Sequence, residues 1–141
     1  MRFVLVLTAL LTAAVLLGAA AESTVATYAD HEKVAKGGSI VTAPDYTVSV
    51  LKRTAAGQVE VHNKETDIFY ITDGDATVVT GGTMIGGKTT APNQIRGTSI
   101  QGGESRHLAK GDVIIIPAGV PHWFKEVPQS IQYLTVKSIK P

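Results

Sequence analysis

The sequence contains no cysteine, few aromatic residues and almost no net charge. Without cysteine, disulfides, thiolate metal sites, iron–sulfur clusters and cysteine nucleophiles are excluded. The 13 Lys and Arg residues nearly balance 12 Asp and Glu residues, for a formal net charge of +1, which argues against nucleic acid or an anionic membrane as a partner. Aromatic residues are 6% of the 141, whereas glycines number 14, a balance typical of short strands and turns rather than of a helix bundle.

The longest apolar run lies at the N-terminus and predicts a signal peptide. Arg2 supplies a positive start, residues 3–17 are apolar apart from two threonines, and residues 19–21 are alanines that fit the signal peptidase pattern. We expect cleavage after Ala21 and export to a periplasm or the cell exterior, with no stable membrane anchor afterwards. An uncleaved anchor is the alternative, although this run is shorter than the roughly 20 residues that a span needs.

The remaining chain predicts one all-β domain. Asp30 is placed to cap a short helix that Gly37 ends, so we divide the chain into a signal peptide (1–21), a lead-in with this helix (22–38) and a β-barrel domain (39–141). Beyond the lead-in, apolar or alternating segments recur about every ten residues between glycine-rich turns, as in sandwiches and barrels. The predicted strands are 46–52, 58–62, 68–71, 77–79, 113–116, 122–124 and 131–136.

Three further segments need separate interpretation. Residues 113–116 are all apolar and β-branched, which predicts a fully buried strand. Residues 83–104 are rich in glycine and threonine, which predicts a long loop with one short strand near 98–100, either a surface excursion or the rim of a site. Residues 82–89 fit the phosphate-loop pattern G-x4-G-K-[ST], but no helical pattern follows, so nucleotide binding is rejected.

A histidine motif lies near the C-terminus. Gly111, Pro117, Gly119 and His122 follow the spacing G-x5-P-x-G-x2-H. This stretch resembles the second motif of the cupin superfamily, in which an asparagine follows four residues after the histidine. Glu126 stands at that last position. The histidine of this motif is therefore a candidate ligand.

A second, less regular motif lies between Gly57 and Gly74. It resembles the first cupin motif, G-x5-H-x-H-x3,4-E-x6-G. Alignment on Gly74 places Glu60 at the first histidine, His62 at the second and Asp67 at the glutamate. With both motifs, the chain is identified as a member of the cupin superfamily, similar to small single-domain cupins of the cupin_2-like type.

The resemblance implies a jelly-roll barrel, often paired as a homodimer, with one divalent transition metal inside. Carried over by position, the metal ligands are Glu60, His62, Asp67 and His122, and the ion is Mn, Fe, Zn, Ni or Cu. Glu60 and His62 are two residues apart on a predicted strand, so both side chains point to one face. Glu60 as an oxygen ligand favours Mn²⁺ or Fe²⁺. The alternative is a metal-free barrel in which Glu60 and His62 are hydrogen-bonded to each other.

Three functions remain open at this point. The first is a metal-dependent oxygenase, isomerase or lyase acting on a small organic molecule, with Glu60 or Tyr70 moving protons. In this interpretation Tyr70, three residues after Asp67, faces the barrel interior. The second is a non-catalytic protein that binds a small ligand, and the third is a structural module. The other two histidines of the mature chain, His31 and His107, are expected at the surface.

Overall fold

The structure, a computed structural model, describes residues 25–140. The predicted signal peptide (1–21) lies outside the described residues. Across the part that is described, no helix is long and apolar enough to cross a membrane.

The described part of the chain forms one short helix followed by twelve strands. Helix α1 (His31–Lys36) begins after Asp30, whose side chain accepts a hydrogen bond from the backbone N–H of Lys33, and ends at Gly37, where φ is +79°. The capping residues therefore predicted this helix correctly. The strands are β1 (Gly38–Thr42), β2 (Tyr46–Arg53), β3 (Val59–His62), β4 (Glu65–Thr80), β5 (Thr83–Ile85), β6 (Lys88–Ala91), β7 (Gln94–Gly97), β8 (Ser99–Gln101), β9 (Glu104–Ala109), β10 (Val113–Ile116), β11 (His122–Glu126) and β12 (Ile131–Ile139).

Two antiparallel sheets share one strand and enclose the core. In the first sheet the strand order is β1-β2-β12-β4-β10, and in the second it is β9-β4-β11-β3-β7-β6. The first half of β4 pairs with β12 and β10, and its second half pairs with β9 and β11. The predicted all-β jelly-roll barrel is confirmed.

The interior between the sheets is apolar at one end and charged at the other. Three aromatic rings, those of Phe69, Phe124 and Tyr133, pack with centroids 4.9–5.9 Å apart. Aliphatic side chains from both sheets surround these rings, among them Ile71, Val78, Leu108, Ile116 and Ile131. Towards the beginning of β4 the interior positions become polar, starting at Asp67. Burial of this apolar cluster holds the two sheets in place around the polar end.

Strand β4 differs from the prediction, which placed a turn between two strands at residues 73–75. The strand instead continues for 16 residues, with one extra residue opposite Gln132 and Tyr133 and with Gly74 at φ +71°. A bulge and a glycine let a strand bend sharply while it keeps its pairing. Turn-forming residues therefore mark the point at which β4 passes from the first sheet to the second.

The short strand predicted near 98–100 is confirmed as β8, but the long loop around it at 83–104 is wrong, because β5, β6 and β7 also lie in this segment. Strand β7 pairs with β3, and Ile95 lies opposite Val61 in that pairing. A Cβ atom on Gly97 would lie 2.5 Å from the Cγ atom of Met84, so β5 packs closely on β7. Strand β6 is exposed along its whole length, and Gly97 is the only buried residue among the four strands, which explains why so few apolar residues mark them.

Strand β10 is not fully buried. The side chains of Val113 and Ile115 are 59% and 61% exposed, whereas Ile116 is buried in the core. Because β10 is an outer strand of the first sheet, its residues alternate between the core and the outer face. An unbroken β-branched run does not tell these two situations apart.

Candidate metal centre

The four predicted ligands lie together at the polar end of the barrel. Glu60 and His62 extend from β3, Asp67 from the beginning of β4 and His122 from the beginning of β11. His122 is in register with Glu60, which makes these two residues neighbours on adjacent strands. All four side chains are largely buried, and Asp67 is the most enclosed of them.

Local turn chemistry brings His122 to this position. The backbone N–H of Gly119, at φ +84°, donates to the carbonyl of His62 over 2.9 Å and so ties the loop before β11 to the end of β3. The indole Nε1 of Trp123 donates to the carbonyl of Gly57 over 2.7 Å. These two bonds fix both ends of the short β3–β11 contact, and the positive φ of Gly119 explains the glycine at that position of the second motif.

The nitrogen and oxygen donors have the spacing of ligands around one ion. The Nε2 atom of His62 is 3.4 Å from Glu60 Oε2 and 3.4 Å from Asp67 Oδ2. The Nε2 atom of His122 is 3.8 Å and 3.4 Å from the same two oxygens. Ligands about 2.1 Å from a common ion are roughly 3.0–3.5 Å apart, so most of these contacts are short enough for a shared ion. Two groups of donors could each hold one: Glu60, His62 and His122 form the first, and His62, Glu65 and Asp67 form the second.

His122 is held in the tautomer that binds a metal. Its Nδ1 atom is 3.2 Å from the carbonyl of Val120, which only accepts, so Nδ1 carries the proton. Burial lowers the pKa of His122 and keeps the ring neutral. The lone pair of Nε2 therefore faces the carboxylate oxygens of Glu60 and Asp67, an arrangement that is repulsive unless a cation lies between them.

Two arginines hold the outer oxygen of Glu60. The side chain of Arg96 forms an ion pair with Oε1, and Arg53 donates to the same atom over 3.2 Å. Burial alone raises the pKa of Glu60, but the hydrogen bond with His62 and nearby positive charges, led by Arg96, lower it to about 2. Arg53 also donates to the hydroxyl of Tyr133 and lies over a core ring, so its position is fixed.

The ammonium group of Lys137 contacts the carboxylates of Glu65 and Asp67. The Nζ atom of Lys137 is 2.7 Å from Glu65 Oε2 and 2.9 Å from Asp67 Oδ1. Glu65 Oε2 is in turn 3.7 Å from Nδ1 of His62. Although burial lowers the pKa of Lys137, its contacts with Asp67 and Glu65 outweigh this effect and raise it. Asp67 thus directs Oδ2 alone towards the histidines.

The sequence interpretation missed Arg53, Glu65, Arg96 and Lys137. Only Lys137 could have been predicted from the sequence. It follows Tyr133 and Thr135 at a spacing of two along β12, so its side chain lies on the same inner face. For the others no pattern was available. Which charged residue of a strand faces a barrel interior depends on pairing with strands far along the chain.

Tyr70 does not belong to the cluster, so the prediction that it faces the interior is wrong. It is 47% exposed on the outer face of β4, while the neighbouring Phe69 and Ile71 are buried. Tyr70 follows Asp67 at an odd spacing along the strand, and strand side chains alternate between faces. His31 and His107 are exposed, as expected.

The fold and the site together indicate a class of protein. It is the class of small jelly-roll barrels that hold a cluster of histidines and carboxylates inside one end. The family model described as "Cupin" matches residues 24–141. The chain therefore belongs to the cupin family, as its two motifs predicted.

Solved structures agree with this fold. KdgF from Halomonas sp. is 19% identical to this protein, with a TM-score of 0.53. The match covers 74% of this chain and 80% of the KdgF chain. TT1209 from Thermus thermophilus is 18% identical over 82% of this chain and 100% of its own, with a TM-score of 0.54. The cupin domain of Cnp3 from Schizosaccharomyces pombe is 15% identical over 74% of this chain and 60% of its own, with a TM-score of 0.53. No curated protein sequence matches the chain.

Proposed function

We propose that the protein binds one divalent transition metal through Glu60, His62, Asp67 and His122 and acts as a metal-dependent enzyme on a small organic molecule. The observation that supports this most strongly is the position of the His122 ring. Its Nδ1 atom is directed at the carbonyl of Val120, so Nε2 faces two carboxylate oxygens at 3.4 Å and 3.8 Å, and a cation between them would remove the repulsion. Two imidazoles and two carboxylates favour Mn²⁺ or Fe²⁺ among the ions considered.

The chemistry proposed is that of an oxygenase, isomerase or lyase. Held by Glu60, His62, Asp67 and His122, an ion of this kind would supply Lewis-acid chemistry towards substrate oxygens, or redox chemistry with dioxygen. Among the chain's own groups, His62 and His122 supply nitrogen donors. Glu60, with a pKa of about 2, stays ionised at neutral pH and is a weak base, which favours a binding role for it over the proton transfer considered from the sequence.

Metal content tests this proposal directly. Purified without a histidine tag, the protein is expected to hold about one equivalent of a transition metal by mass spectrometry, either as isolated or after dialysis against Mn, Fe, Ni, Cu and Zn. His62→Ala should lose the metal, because it removes one of two nitrogen donors. His107→Ala is the matched control, since that side chain is 63% exposed. A protein that takes up none of the five metals, or a His62→Ala variant that retains its metal, contradicts the proposal.

A non-catalytic ligand-binding barrel is the second candidate. One observation favours it: the carboxylates of Glu60, Glu65 and Asp67 already have cationic partners without any ion. A metal-free interior is then electrically balanced, with His62 and Glu60 in contact at 3.4 Å. In that case small ligands should raise the melting temperature of metal-free protein, and no turnover should be detected.

We further propose that the chain is an exported, cupin_2-like protein that forms homodimers. The apolar N-terminus and its alanines support export, and the intact mass of the purified protein should then correspond to a chain that begins at Glu22. Exposed apolar side chains on the outer face of the first sheet, those of Tyr70, Val113 and Ile115, support pairing with a second copy.

A further inference from the structure

The charges around the proposed metal centre already cancel within the protein. Three carboxylates lie at the polar end of the barrel, and three cationic side chains lie against them. Arg53 and Arg96 pair with Glu60, and Lys137 pairs with both Asp67 and Glu65. The two histidines add no charge to the loaded site, because an imidazole that binds a metal is neutral. Three negative and three positive groups leave the site at a net charge of zero.

A divalent ion in this site would therefore leave two positive charges uncompensated. Because charges in a protein interior are poorly screened, such an excess is costly unless a counter-charge accompanies it. We propose that the loaded centre takes a small carboxylate anion as its substrate class, with the anion providing the missing negative charge. This inference rests on the metal-dependent function proposed above.

The burial of the charged groups supports a route for an anion. Side chains of the ligands Asp67, His62 and His122 are 2–6% exposed, whereas those of the cations Lys137, Arg53 and Arg96 are 25–34% exposed. The positive groups thus lie nearer solvent than the ligands. In the loaded protein, whose site carries an excess of positive charge, an incoming anion meets these cations before it reaches the buried donors.

Thr135 offers a hydrogen-bond donor for the same ligand. Its hydroxyl is buried and has no hydrogen-bond partner among the described residues. It lies on the inner face of β12, two residues before Lys137. A buried hydroxyl without a partner is unfavourable, and a carboxylate oxygen in the interior would satisfy it.

Malonate and its uncharged analogue malonamide test the proposal on Mn²⁺-loaded protein. Calorimetric titration is expected to show malonate binding at least about tenfold more tightly to loaded than to metal-free protein, because the ion adds the uncompensated charge. Malonamide, with similar shape and no charge, should bind at least about tenfold more weakly than malonate to the loaded form. Metal content is measured on each sample before and after titration, so that extraction of Mn²⁺ by malonate is recognised.

Two variants that each remove one positive charge test whether malonate affinity depends on the charges of this site or on the total charge of the protein. Lys137→Gln and Arg96→Gln should each weaken malonate binding to the loaded protein by about tenfold, because each removes one positive charge from the site. Lys110→Gln removes the same charge from an exposed turn and should leave malonate affinity unchanged. Arg96→Gln keeps the experiment informative if Lys137→Gln does not fold.

The outcomes are distinguishable. Protein that holds no metal overturns both this inference and the metal-dependent function on which it rests. Protein that holds metal but binds malonate and malonamide equally overturns the carboxylate inference alone. Equal losses in Arg96→Gln and Lys110→Gln also overturn it, because the effect would then be one of total charge and not of this site.

Discussion

Glu60 connects the buried donors of the site to its solvent-facing cations. One oxygen of its carboxylate is held by Arg53 and Arg96, and the other faces the two histidines. A carboxylate with a fixed outer oxygen presents a single inner oxygen to an ion. This arrangement depends on ionisation, since protonation would remove the attraction to both arginines.

Glu60→Gln should remove part of the pH-dependent free energy of unfolding. A carboxyl whose pKa falls from 4.5 to about 2 on folding contributes stability fully above pH 4.5, and loses it as the pH falls towards 2. The difference corresponds to roughly 3 kcal/mol. Urea unfolding of metal-free protein at stepped pH should show the stability gap between wild type and variant shrinking by about this amount below pH 4.5. Glu104→Gln, at a side chain 68% exposed, is the control. A gap that stays constant with pH contradicts the prediction.

At the scale of elements, β4 determines the geometry of the site. It supplies Asp67 in the first sheet, and its second half pairs with β11, which supplies His122. Gly74 lies between the two halves, and a Cβ atom there would clash with the carbonyl oxygen of Ser130. The bend at this glycine thus fixes how the two sheets meet, and with it the distance between ligands from different sheets.

Gly74→Ala should therefore destabilise the protein by about 3 kcal/mol, from a positive φ and a backbone clash together. Gly102→Ala is the matched control: its φ is +72°, but nothing lies within 4 Å of the added Cβ. It should cost only about 1 kcal/mol. Chemical denaturation of both variants measures the difference. Equal losses would show that backbone strain alone, without the contact to Ser130, determines the effect.

Strands with alternating or apolar sequences were predicted from the sequence, whereas their partners were not. The segments around β2, β3, β11 and β12 were found because their sequences alternate or are apolar, although β3 is buried on both faces. No local pattern indicated that Asp73 and Gly74 lie within one strand, since the same residues also make turns. Glu60 and His62 were identified as candidate ligands from their positions in the first cupin motif, and both lie on β3. Their partner Arg96 was missed, because its proximity arises from the pairing of β3 with β7.

At the scale of the whole molecule, the outer face of the first sheet is apolar over two neighbouring strands. Val113 pairs with Tyr70, and Ile115 pairs with Ile68 across β10 and β4. Three of these four side chains are 47–61% exposed. Contiguous exposed apolar side chains mark interaction surfaces more often than scattered ones do. This face is the surface that we assign to the proposed homodimer.

Ile115→Lys should convert the dimer to a monomer, because it places a charge in the centre of the apolar face. Ile85→Lys is the control: this isoleucine is 42% exposed but lies on β5, away from the first sheet. Sedimentation velocity of the metal-loaded proteins should give a dimer for wild type and for Ile85→Lys, and a monomer for Ile115→Lys. A monomeric wild type, or a dimer that persists in Ile115→Lys, excludes this interface.

The position of β12 has a consequence for how the chain reaches its native state. This last strand lies between β2 and β4, which come much earlier in the chain, and it carries Lys137 into the polar end. Until the C-terminus is available, both of those strands keep an unpaired edge and Asp67 lacks its ammonium partner. The barrel cannot close progressively from its N-terminus. Closure of the first sheet and the pairing of Asp67 with Lys137 therefore both depend on this one strand.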